Sequence, residues 1–276
     1  MNPFEERKKQ QQKIDSAMKN IKYLIAVGSG KGGVGKSTVS ANLALSLAKQ
    51  GYRVGLADAD VYGPSIPTLF NIEGQDVMAV QKDGEELMVP FEKYGLKLMS
   101  IGFLVDKKAP LMWRGPMASN ALIQMLSQTD WGELDYLMLD MPPGTGDIQL
   151  TLVQSFRPAG ALFVCTPQQL AVSDVRRAVN MFENENLKVP VLGLVENMSY
   201  FTPTEFPDKK YYIFGKEGGK ELARELNIDF LGEIPISENV STCNDNGNPV
   251  AMSFDSVEAK AFMALADRVV EKSKNI

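Results

Sequence analysis

Six short apolar runs recur along the chain: YLIAVGS (23–29), YRVGLAD (52–58), DYLMLD (135–140), ALFVCT (161–166), VPVLGLVEN (189–197) and DFLGEIP (229–235). Their hydrophobicity is nearly continuous instead of alternating, the pattern of strands covered on both faces. Between them lie helix-compatible stretches, notably 36–49, 117–128, 147–155, 170–186 and 217–226. This alternation predicts an α/β fold with a doubly wound, mainly parallel sheet and right-handed crossovers. Residues 76–102 break the pattern. They carry Asp83-Gly84 between two strand-like runs, which predicts a β-hairpin inserted at the sheet edge. A last helix over about 255–272 places Phe254, Phe262, Leu265, Ala266, Val269 and Val270 at near-helical spacing, and a modest apolar face with mixed end charges predicts core packing over membrane targeting. Residues 1–22, with Arg7, Lys8, Lys9, Lys13, Lys19 and Lys22 against Glu5, Glu6 and Asp15, read as a polar lead-in, a solvated helix or frayed tail.

Composition narrows the function classes. The chain has 276 residues, 44% hydrophobic and 23% charged, with a formal charge of −5, values ordinary for a soluble globular protein. An acidic balance argues against a general nucleic-acid surface. No run approaches the roughly 18 apolar residues of a membrane span, and the charged N-terminus lacks a secretory signal. A cytoplasmic protein is the expectation. Two cysteines, Cys165 and Cys243, make no disulfide framework. Histidine is absent, which removes histidine triads and histidine metal sites together.

The strongest motif is GSGKGGVGKST at 28–38. It fits G-x-x-x-x-G-K-[ST] with Gly30, Gly35, Lys36 and Ser37, follows a predicted strand and opens a predicted helix. Glycines let the N–H groups of Gly32, Gly33, Val34 and Gly35 turn inward around phosphate oxygens, and the helix N-terminus adds positive charge. Lys36 is expected to reach the β- and γ-phosphates of ATP, Ser37 to ligate Mg²⁺, and Thr38 to steady the first helical turn. Residues 23–276 then form one P-loop ATPase domain.

Acids close two of the strands, where ligands of parallel sheets bind. Asp140 ends 135–140 and is the better Mg²⁺ residue, while Gly144 in DMPPGTGD can carry a backbone N–H to the γ-phosphate. Asp60 is suited to the metal's surroundings and to orienting or deprotonating the attacking water, since no histidine is available. Asp58 either coordinates through water or braces its loop. Asp147 reads as a helix N-cap, and Cys165 as a small buried hydrophobe.

With these motifs in place the chain resembles the deviant Walker A ATPases, and among them the Mrp/ApbC-type iron–sulfur cluster carriers. KGGVGKST, DADVYGPS and DMPPGTGD carry the likeness, with MSIGFL (99–104), WRGPM (113–117), TPQQLAVSDVRRA (166–178), VENMSYF (195–201) and IFGKEGG (213–219). The resemblance implies a homodimer that clamps two nucleotides, with the extra Lys31 crossing to the partner's phosphates as a catalytic cation. It implies that Asn197 and the segment after Pro235 border the adenine. It also implies apoprotein clients and a 4Fe–4S cluster, which such carriers hold through a C-x-x-C pair. Here the corresponding stretch, TPTEFPDKKYY (202–212), has no cysteine. Two other readings fit the P-loop: a positioning ATPase like MinD or ParA, and a nucleotide-gated scaffold that docks partners through WRGPM or the hairpin.

Overall fold

Along β1 (Ile21–Ser29), Leu24 and Ala26 enter one apolar layer while Ile25 and Val27 enter the other. Period-two alternation thus survives in a strand whose faces are both buried. The computed structural model describes residues 3–82, 84–104, 115–253 and 255–276. The elements that follow are α2 (Lys36–Lys49), β2 (Val54–Asp58), α3 (Ile66–Leu69), β3 (Ala79–Lys82), β4 (Glu85–Met88), β5 (Phe91–Lys93) and β6 (Leu96–Ser100). Next come α4 (Gly115–Ser127), β7 (Leu134–Asp140), α5 (Asp147–Phe156), β8 (Gly160–Cys165), α6 (Gln169–Glu183) and β9 (Val191–Glu196). The chain ends with α7 (Gly218–Glu225), β10 (Phe230–Glu233), α8 (Glu238–Asp245) and α9 (Val257–Ser273), and α1 (Pro3–Met18) precedes the sheet.

The main sheet has the order β10-β9-β8-β1-β7-β2-β6-β5. Neighbours pair in parallel except β5, which runs antiparallel to β6. Both neighbours of β1, β7 and β8, come later in the chain, so the winding reverses there and opens a crevice at its carboxyl end. Residues of α2 and α9 fill one layer; those of α4, α5, α7 and, apart from Ala171, α6 fill the other. The doubly wound, mainly parallel architecture is as expected.

The insertion differs from a single edge hairpin. β3 and β4 form a separate two-stranded sheet, whereas β5 and β6 join the main one, β6 pairing in parallel with β2. Two consecutive positive φ angles at Tyr94 (53°) and Gly95 (79°) make the second turn. A tyrosine is not the residue such a turn announces, so the sequence hid it. Asp83 lies outside the described residues, as do Trp113 and Arg114 of WRGPM and Phe254.

The lead-in is not frayed. Ile14 of α1 is buried in the layer of Leu122 and Phe156, with Met18 packed at its side. Among the described residues of the helix, these two positions, one helical turn apart, betray the docked face. α9 buries Phe262, Leu265, Ala266 and Val269, which leaves that face no membrane to meet. Among the described residues no helix is long and apolar enough to cross a membrane.

Candidate nucleotide site

The glycine loop runs from the end of β1 to the first residue of α2, at the crevice where the winding reverses. Gly35 has φ +80°, and a Cβ there would stand 2.2 Å from Asn197 Nδ2. That amide in turn donates to the Val34 carbonyl at 2.8 Å, so the loop is shaped from beneath by the residue that follows β9. Gly30 meets the backbone of α6, where a Cβ would lie 2.2 Å from the Asp174 carbonyl carbon. A side chain at Gly30 would have to shift main chain, and one at Gly35 would be strained by the positive φ and would displace the Asn197 amide.

Lys36 is buried and sits between two carboxylates, 3.0 Å from Asp140 Oδ1 and 3.6 Å from Asp60 Oδ2. Burial opposes its charge, but the attraction of Asp140 and then Asp60 outweighs burial and holds its pKa above the ordinary lysine value. Asp140 also accepts from Ser37 Oγ at 2.6 Å and Ser40 Oγ at 2.7 Å. Asp60 accepts the N–H groups of Tyr62 and Gly63 on Oδ1, which leaves Oδ2 turned toward Lys36. These donors around the lysine are all oxygen, the set a hard divalent cation prefers. No group of three or more acidic or cysteine side chains among the described residues is placed to hold a metal. Ser37 and Asp140 therefore fit Mg²⁺ of the kind that completes its shell with phosphate oxygens and water.

Asp58 resolves to a brace. It is fully buried and accepts from Asp60 N–H at 3.1 Å, Ile66 N–H at 3.1 Å and Ser100 Oγ at 2.9 Å. Desolvation, with Asp140 alongside, pushes its pKa up to about 7 despite these donors. A native pKa above the unfolded one means that the folded state keeps a proton the unfolded chain has released, so stability falls as pH rises from about 4 to about 7. With metal and nucleotide absent, the urea midpoint of Asp58→Asn is expected to vary less across that window than wild type. Equal slopes would remove Asp58 as the titrating group.

Other expected site residues fall as follows. Lys31 stands at the loop's rim, partly exposed, and its ammonium makes no ion pair among the described residues. Gly144, at φ +92°, donates its N–H to the Ser29 carbonyl at 2.9 Å, so it reaches a phosphate only if that bond opens. Thr38 stands in the first turn of α2, where its hydroxyl accepts from Asn244 Nδ2 at 3.2 Å and ties α8 to the loop. Asp147 is the first residue of α5, whose cap position is Gly146 with no side-chain bond, so the N-cap reading is corrected. A cavity of about 550 Å³ joins Lys31, Gly32, Gly33, Gly35, Lys36, Ser37, Thr38 and Asp60 with Asn244 and Asp245. Pro235 lies outside it and lines a different cavity, of about 490 Å³. Sequence reasoning missed Ser40, Ser100 and Asn244. Ser40 stands one helical turn after Ser37, a spacing that could have flagged it; Asn244 falls in the segment after Pro235 without being singled out there, and Ser100 comes from a distant element with no such signal.

Cys165 ends β8 fully buried, and burial with Glu196 nearby pushes its thiol well above the ordinary range. Native protein treated with a thiol-specific disulfide reagent at mildly alkaline pH should therefore label at Cys243 alone, and at both after denaturation. Two rapid equivalents from native protein would contradict this.

Fold, loop and buried lysine together define a P-loop nucleotide-binding protein. A family model described as ParA, the NUBPL iron-transfer P-loop NTPase, matches residues 20–270, and the chain belongs to that family. It is 51% identical over 261 residues to the iron–sulfur cluster carrier protein of Aquifex aeolicus, covering 92% of this chain and 70% of that protein. To the iron–sulfur cluster transfer protein NUBPL of Mus musculus it is 46% identical, covering 94% of this chain and 80% of that one. Among solved structures, a nucleotide-binding protein from Archaeoglobus fulgidus in complex with ADP superposes with TM-score 0.74 at 40% identity, over 90% of this chain and 98% of that one. The cell-division ATPase MinD of Pyrococcus furiosus, at TM-score 0.65 and 19% identity over 91% of this chain and 99% of that one, shares the fold.

Proposed function

We propose that this chain is a Mg²⁺-dependent ATPase that closes as a homodimer around ATP and serves iron–sulfur cluster assembly or transfer to apoproteins in a reducing, cytoplasmic-type compartment. The observation that carries the reading is Lys36, buried between Asp140 and Asp60 at the base of the glycine loop, while Lys31 stands at its rim with no ion pair among the described residues. The relatives' names supply the cluster role, and the ADP-bound neighbour supports the nucleotide.

In this reading Lys36 exchanges its carboxylate partners for the β- and γ-phosphates, and the loop N–H groups cradle the rest. Ser37 and Asp140 hold Mg²⁺, which bridges phosphate oxygens and offsets their charge. Asp60, fixed by two backbone N–H groups on one oxygen, is left with the other once Lys36 turns to phosphate, and that oxygen orients the water. Gly144 leaves the Ser29 carbonyl when a γ-phosphate is present, which couples nucleotide state to the loop after β7. Asn197 and the segment after Pro235, in which Asn244 faces the cavity, border the base. Lys31 enters the twin's site and meets charge that develops on transfer.

The test is steady phosphate release from ATP and Mg²⁺ across a dilution series. Turnover per protomer should fall as the protein is diluted below its association range. No release at any concentration, or turnover independent of concentration, would contradict the reading.

A further inference from the structure

A 4Fe–4S cluster takes four thiolates. The sequence has two cysteines and no histidine, so a pair of protomers could offer four thiols only if every one were usable. Geometry withdraws half of them. Cys165 has no exposure and is roofed by Gly219, where a Cβ would stand 2.8 Å from its Sγ. Cys243 is partly buried on α8 and packs against the other apolar layer, on the opposite face of the sheet. The two sulfurs of one chain cannot converge on one group, and a sealed Cys165 cannot reach across an interface. A dimer is left with the two Cys243 thiols, short of the set. Nor does the 202–212 segment wait for a metal to shape it. Phe201 and Tyr211 exchange both backbone hydrogen bonds at 2.8 Å across its neck, and the Lys210 ammonium sits 3.7 Å from the Tyr200 ring centroid.

We infer that this chain ligates no iron–sulfur cluster with its own side chains. In the transfer role proposed above, on which this statement's biological meaning rests, the cluster stays on thiolates of partner proteins throughout. The chain supplies nucleotide-driven docking between them. This departs from what the name cluster carrier says of its relatives, and it follows from the cysteine count together with the burial of Cys165.

Anaerobic reconstitution of the full chain with ferrous iron, sulfide and a thiol reductant, followed by desalting and iron and sulfide counting, tests it. Wild type should retain no more iron than Cys165→Ser/Cys243→Ser. A calibrating variant, Pro203→Cys/Phe206→Cys, places thiols where the Phe206 N–H already closes a turn onto the Pro203 carbonyl at 3.1 Å. It is expected to keep about two iron atoms per protomer, one four-iron cluster per dimer. Wild type retaining a similar amount, lost on Cys243→Ser, would overturn the inference. The transfer role is read separately, as the ATP-dependent rate at which iron-free wild type speeds passage of a cluster from a donor protein to an apoprotein. Failure there removes the role and leaves the iron count standing.

Discussion

Lys31→Ala is expected to bind ATP nearly as well as wild type and to hydrolyse it about 10³–10⁵-fold more slowly, the range a cation supplied in trans contributes to phosphoryl transfer. Lys36→Ala should lose binding itself. The physical difference lies in where the two ammonium groups stand. Lys36 is buried at the loop's base with carboxylates at 3.0 and 3.6 Å, positioned to meet ground-state phosphate. Lys31 is at the rim, on a loop whose geometry is set by Gly30, Gly35 and Asn197 and owes nothing to its side chain. If, as proposed, its contribution is reserved for the charge that appears in the transition state, it should enter kcat and leave nucleotide affinity alone. Equilibrium titration with a fluorescent ATP analogue beside phosphate release separates the two. Equal loss of binding in both variants would contradict the division of labour.

The second large effect concerns stability. Asp140→Ala is expected to destabilise the nucleotide-free protein by about 3–5 kcal/mol, the usual cost of stranding a buried charge. Asp140 holds the Lys36 ammonium and two serine hydroxyls at once, and its removal takes an acceptor from each, though Ser40 keeps the Lys36 carbonyl at 3.0 Å. Asp60, at 3.6 Å, offsets only part of the loss for the lysine. Asp140→Asn, which keeps shape and one acceptor oxygen, should cost less but abolish Mg²⁺-dependent nucleotide binding. Urea unfolding without metal gives the comparison. A loss below about 1 kcal/mol in Asp140→Ala would place the carboxylate outside any buried network.

Much of this was legible in the chain because each part is local. The P-loop is a contiguous string, and its strand and helix announce themselves on either side. Asp58, Asp60 and Asp140 could be picked out because a parallel sheet puts strand ends at one edge. What stayed hidden is long-range. Nothing in Asn197 says that its amide props Val34, and nothing in Thr38 says that its hydroxyl serves Asn244. β6 was folded into a single hairpin because its turn, Tyr94-Gly95, does not look like one, although the strand is integral to the sheet beside β2. Ile14 shows the converse, one buried apolar side chain anchoring a helix whose composition reads as solvent-facing.

If each site borrows Lys31 from a twin molecule, a mixing experiment reads this directly. Lys31→Ala keeps a complete site but has no cation to lend; Asp60→Asn binds ATP, lacks the water-orienting carboxylate, and still has its Lys31. Each variant alone should be almost inactive. Mixed in equal amounts and allowed to exchange, they should recover about a quarter of wild-type turnover, because half the dimers are mixed and each has one working site. A mixture that stays at the sum of its inactive parts would mean that Lys31 serves its own chain, and the account would fail.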